Sequence, residues 1–142
     1  HMIEHITLNS GMIMVTEIYR VLKTNGKVRI STPDIKFLVS LLLKKDKITN
    51  NYSNFFFSNK KYNGFDDAPA IIVNEFMRDH GHKFIYSKSV LKSLLLEAGF
   101  KDINYYNLNE SNTPDFRGLE NINRLPEGFL QFESFTIEGT KK

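Results

Sequence analysis

Two histidine clusters carry the side chains best suited to chemistry. The chain reads His1-Met2-Ile3-Glu4-His5 at one place and Asp79-His80-Gly81-His82 at another, and together these hold all 4 of its histidines. Imidazole titrates near neutrality, so His5 and His82 are the candidate catalytic residues, able to take a proton from an oxygen or nitrogen nucleophile. On a helix, His1 and His5 would share a face and could bind zinc with Glu4 as base. A looser pairing of His80 with His82 is expected to bind metal only adventitiously. Each also has a plain structural role: His5 can pack at a helix start, His82 can order a loop, and Glu4 can bond a neighbouring backbone group.

Composition narrows the setting. The chain has 142 residues, about one domain, and no cysteine. Disulfides, thiolate metal sites and cysteine catalysis are therefore excluded, and a cytoplasmic location is expected. The most apolar run, Phe37 to Leu43, is far short of the roughly 18 residues that span a bilayer, so no membrane partner is expected. With 19 Lys and Arg against 16 Asp and Glu, the net charge is +3. The lysines are scattered, with small groups at Lys44-Lys45, Lys60-Lys61 and Lys141-Lys142, and read as solvated faces rather than a nucleic-acid footprint. A hydrophobic share of 41%, with 12 Phe and 6 Tyr, is enough for a packed core.

The elements that must hold the histidines are partly visible. Residues 10 to 23 place Met14, Ile18, Val21 and Leu22 on one helical face, with Asn9 or Ser10 as cap. Asn25-Gly26 supplies a turn, and Lys27 to Ser31 alternates as a strand bounded by Thr32-Pro33. Asp34 caps a mostly apolar helix over 35 to 43, its simplest role. Residues 44 to 69 read as an insertion carrying Phe55-Phe56-Phe57, either core filling or a lid over an apolar acceptor. Short helices are expected over Ala70 to Asp79 and, capped by Ser87, over Lys88 to Ala98 with Gly99 as stop. Strands follow at about Lys101 to Leu108 and Leu130 to Glu138. Because more than twenty residues separate these last two, they are not a tight hairpin, and an antiparallel addition at one sheet edge is expected.

Taken in order, these pieces resemble the C-terminal part of a class I S-adenosylmethionine-dependent methyltransferase. The resemblance rests on Glu4-His5-Ile6, on a helix ending Arg20-Val21-Leu22-Lys23, on the strand ending Ser31-Thr32-Pro33-Asp34, and on Glu97-Ala98-Gly99-Phe100. It is nearest to small bacterial and archaeal methyltransferases, some linked to polysaccharide synthesis, whose Pro-Gly-Gly turn is here Thr24-Asn25-Gly26. It implies an α/β fold, the C-terminal portion of a Rossmann-like methyltransferase fold. Its partial mixed sheet would hold strands five, seven and six, with an antiparallel edge pair and flanking helices. It also implies S-adenosylmethionine as cofactor, with His1, Met2 and Glu4 as cofactor-binding residues, His5 where the cofactor's methionine end meets a small-molecule or saccharide acceptor, and His82 in a loop facing the same pocket.

The loops around His82 and Asp115 to Gly118, with the 44–69 insertion, would build the pocket. None of the chain's 8 glycines forms a Gly-x-Gly pair, so the loop that approaches the cofactor in this fold is expected in a preceding N-terminal half. Residues 1–142 alone are then expected to be inactive, and the open sheet edge is expected to favour self-association. Two further readings stand beside this one. The chain fits a non-catalytic methyltransferase-like interaction domain, and His1-Met2-Ile3-Glu4-His5 matches the His-x-x-Glu-His pattern of inverted zinc metallopeptidases.

Overall fold

The computed structural model describes residues 1–58 and 65–142, so Lys60-Lys61 lies outside the described residues. The first helix, α1 (Leu8–Val21), is capped by Thr7, whose Oγ1 accepts from Ser10 N at 3.2 Å. Asn9 and Ser10, the expected caps, lie inside the first turn. The face turned inward carries Gly11 and Val15, with Met14, Ile18 and Leu22 packed at its margins. Val21 is 65% exposed, because the inward stripe runs through Val15 rather than one position later in each turn. Asn25 takes the left-handed conformation at φ 65°, and Gly26 leaves room that a Cβ, 2.7 Å from the Lys23 carbonyl oxygen, would fill.

The strand β1 (Lys27–Pro33) follows, with Val28 and Ile30 buried on one face. Asp34 then accepts from Lys36 N at 3.0 Å and caps α2 (Ile35–Leu43). The expected insertion is largely helix: α3 (Lys47–Ser58) buries Tyr52, and α4 (Ala68–Arg78) starts at the Asp67 cap. Ser87 accepts from Val90 N and caps α5 (Lys88–Glu97), which stops at Gly99 with φ 108°. The strand β2 (Lys101–Tyr106) comes next. The segment expected to be one long strand divides, because Gly128 at φ 82° starts a helical turn, α6 (Phe129–Glu133), before β3 (Ser134–Thr140).

The three strands form one open sheet in the order β1-β3-β2. The last strand lies in the middle and is antiparallel to both neighbours, pairing Lys27 with Thr140 through Pro33 with Ser134 on one side and Asn104 with Glu138 on the other. The expected mixed sheet is therefore corrected among the described residues. β1 and β2 run the same way but never pair, because β3 separates them. The expected antiparallel pairing of the two late strands is present.

Two cores result. α1 and α5 cover the sheet face bearing Val28, Ile30 and Ile137, where Leu91, Leu95 and Phe100 are fully buried. The second core joins α2, α3, α4 and α6 through Phe37, Leu41, Tyr52, Ile72 and Phe129. Among the described residues no helix is long and apolar enough to cross a membrane.

Candidate functional site

A cavity of about 350 Å³ opens beside the C-terminal end of β1, between the two cores. His1, Glu4, His5, Pro33, His80 and His82 line it. Both histidine clusters therefore reach one cavity, although they are far apart in sequence. The link is backbone: the Glu4 carbonyl oxygen accepts from Lys83 N at 2.7 Å and from Phe84 N at 3.1 Å. Gly81, at φ 74°, makes the turn, and a Cβ there would sit 3.6 Å from His5 Nδ1. The His5 and His82 rings consequently lie with centroids 4.9 Å apart.

Glu4 is the most unusual group in the cavity. It is 1% exposed, and its Oε2 accepts from Thr32 Oγ1 at 3.1 Å. Its Oε1 makes no hydrogen bond. His1 Nδ1 approaches that oxygen to 3.2 Å without hydrogen-bonding geometry, and His5 Nε2 lies 3.9 Å from it. A buried carboxylate oxygen without a donor is costly, so this arrangement marks a place where a cation or a donor from a ligand would be stabilising.

His82 is held by its other edge. Its Nδ1 lies 2.5 Å from the Phe76 carbonyl oxygen. A carbonyl only accepts, so Nδ1 carries the proton and Nε2 keeps a lone pair. Burial pushes the His82 pKa down, against the pull of that carbonyl, which favours the neutral ring. Among the described residues, one set offers metal-ligating atoms in a common place: an atom each from Glu4, His5 and His82, all within 4.8 Å of one another.

The structure separates the other expected site residues. Met2 is 55% exposed and does not line the cavity, because its neighbour Ile3 takes the core position at 2% exposure. His1 and Glu4 line the cavity, and Met2 lies outside it at the surface. Residues Ile3–His5 form a single 3-10 turn, so the helical face that the His-x-x-Glu-His zinc pattern requires does not form. Of the three consecutive phenylalanines, Phe56 lies in the cavity wall. Phe116, in the loop expected to complete the pocket, lines a separate groove beside Lys27 and Leu119 along β1.

Three further groups lining the cavity were not apparent from sequence: Tyr52, Arg124 and Glu133. Tyr52 donates to Glu133 Oε2 at 2.6 Å and Arg124 donates to Oε1 at 3.0 Å. Burial raises the Glu133 carboxyl pKa, and Tyr52 and Arg124 only partly offset that effect. Burial and the Glu133 charge push the Tyr52 phenol up as well. No local sequence signal marks them, and no spacing links three residues drawn from α3, a 3-10 turn and α6.

The cavity thus has a histidine-rich wall, an acid-and-phenol wall and an aromatic lining. Comparisons with protein-family models, with curated proteins and with solved structures each returned no match for this chain.

Proposed function

We propose that the chain is the C-terminal part of a class I S-adenosylmethionine-dependent methyltransferase and that the complete protein methylates a small-molecule or saccharide acceptor. The observation that carries this reading is the sheet order. The resemblance implies strands five, seven and six, with the last strand in sequence placed between the other two. The order β1-β3-β2, with β3 antiparallel to both, supports it. The site's position supports it further, since ligands of open α/β folds lie beyond the carboxyl ends of the strands, and Pro33, where β1 ends, lines the cavity.

Methyl transfer from a sulfonium needs chiefly an in-line acceptor and exclusion of water. In this reading His82, neutral and with Nε2 unprotonated, receives the acceptor's proton, and His5 orients the acceptor beside it. Glu133, Tyr52 and Arg124 supply donors and an acceptor for hydroxyl groups, as a saccharide would require. His1 and Glu4 face the methionine end of the cofactor. Most of the cofactor contacts belong to the preceding half, and the free edge of β1 is where that half would continue the sheet.

Calorimetric titration with S-adenosylhomocysteine tests the proposal. The product of the full reading frame containing these residues should bind it with micromolar affinity, and residues 1–142 alone should bind far more weakly. Absence of binding to the full product would overturn the reading and favour a non-catalytic interaction domain.

A further inference from the structure

We propose that Glu4, His5 and His82 form a binding site for a divalent transition-metal ion of the zinc class, opening into the cavity. The site does not depend on the methyl-transfer fold assignment, but an ion bound there occupies the His82 Nε2 lone pair, so His82 takes the acceptor's proton only when the ion is absent.

The argument begins with the ligand atoms. One atom from each of the three residues lies within 4.8 Å of the other two. Ligands about 2.0–2.2 Å from a tetrahedral metal lie closer together than that, so small side-chain rotations bring all three into range. Two imidazoles and one carboxylate are a donor set that zinc and its first-row neighbours accept, and harder ions such as magnesium and calcium do not favour.

The second argument is the state of the carboxylate. Glu4 Oε1 is buried and has no hydrogen-bond donor, whereas Oε2 is fixed by Thr32. A side chain anchored by one oxygen, whose other oxygen has His1 Nδ1 at 3.2 Å and His5 Nε2 at 3.9 Å beside it but no hydrogen bond, is oriented as a ligand would be. The third argument is the support behind His82. Metal-ligating histidines generally donate their second ring nitrogen to a carbonyl or carboxylate, which fixes the tautomer, and His82 Nδ1 does so to Phe76. Backbone bonds from Lys83 and Phe84 to the Glu4 carbonyl then hold the two halves of the site in register.

Three protein ligands leave one tetrahedral position for water or a ligand hydroxyl, and the cavity lies on that side. His80 is a useful contrast. Its ring lies 5.8 Å from that of His82 in the same cavity, yet it is outside the ligand set.

Residues 1–142, purified without a histidine tag, are titrated with zinc chloride by calorimetry, and cobalt chloride is added in parallel to record visible absorption. Saturable binding of one ion per chain is expected, with the cobalt spectrum of a four-coordinate site. His5→Ala, at a partly exposed position tolerant of change, and Glu4→Gln should each weaken binding at least tenfold, and His80→Ala should leave it unchanged. Circular dichroism of each variant confirms that it folds. No saturable binding overturns the proposal, as does binding that survives His5→Ala or is lost in His80→Ala. S-adenosylhomocysteine binding by the full product is read separately, so loss of one reading leaves the other intact.

Discussion

Tyr52 donates its phenolic hydroxyl to Glu133 Oε2 at 2.6 Å, joining α3 to the turn of α6 across a cavity wall. Tyr52 is 1% exposed and Glu133 4%, so the bond stands in a poorly solvated place. Burial is the main reason that the Glu133 pKa lies above 4.5, and the Tyr52 and Arg124 hydrogen bonds only lessen the rise.

That shift has a definite sign. The folded protein holds the Glu133 proton more tightly than the unfolded chain, so the contribution to stability is complete below about pH 4.5 and is lost as pH rises through the folded value. Glu133→Gln cannot titrate there. Thermal unfolding of both proteins across pH 4 to 8 should show the native protein losing stability relative to the variant as pH rises through this window. Tyr52→Phe removes a bond to the charged form and should move the window upward. A difference between native protein and Glu133→Gln that is flat with pH would show that the carboxyl is not perturbed.

Arg29 organises the sheet face opposite α1 and α5. Its side chain is 4% exposed and gives both Nε and Nη2 to Glu120 at 2.9 Å, while Nη1 reaches Glu138 at 2.5 Å and the Glu110 carbonyl oxygen at 2.9 Å. Burial alone would raise the Glu120 pKa, yet Arg29 and the Asn109 N–H hold it below the usual range. Arg29→Met would leave two buried carboxylates without their cation. It should destabilise by about 3–5 kcal/mol, read from the denaturant midpoint. Arg29→Lys should recover only part, because an ammonium cannot make the two-pronged bond to Glu120. Replacement of Glu120 and Glu138 by Gln alongside Arg29→Met should restore much of the loss.

Local signals were legible wherever one residue did one job. Asp34 and Ser87 read as caps and are caps, and Gly99 ends its helix in the left-handed conformation that glycine accepts most easily. The helix between Ser87 and Gly99 buries Leu91, Leu94 and Leu95 together. Within 44–69 the helix α3 was not legible, because its polar Asn and Ser positions mask an element whose stability comes from Tyr52 packing among Phe37, Phe56 and Phe132. Propensity carries no trace of such a tertiary contribution. The site divides in the same way. His5 and His82 were legible as reactive side chains, but their meeting depends on backbone bonds from Lys83 and Phe84 to Glu4. The triad of Tyr52, Arg124 and Glu133 was invisible, since only the folded chain brings it together.

Gly11 in α1 brings the helix close to Tyr86 of the core. A Cβ built there would lie 2.3 Å from Tyr86 Oη but 3.6 Å from Tyr86 Cζ, so one oxygen atom sets the requirement for glycine. That oxygen is buried and has no hydrogen-bond partner. An ordinary helical Gly→Ala change stabilises by about 1 kcal/mol, but here overpacking should reverse the sign, and Gly11→Ala should cost about 1–3 kcal/mol. Tyr86→Phe removes an unpaired buried hydroxyl and should be close to neutral. The pair together should therefore be at least as stable as the native protein, a large favourable coupling between residues in contact. Denaturant midpoints of the four proteins measure it. Gly11→Ala proving stabilising on its own would show that α1 is free to move away from Tyr86 and that the packing of this helix is looser than the geometry requires.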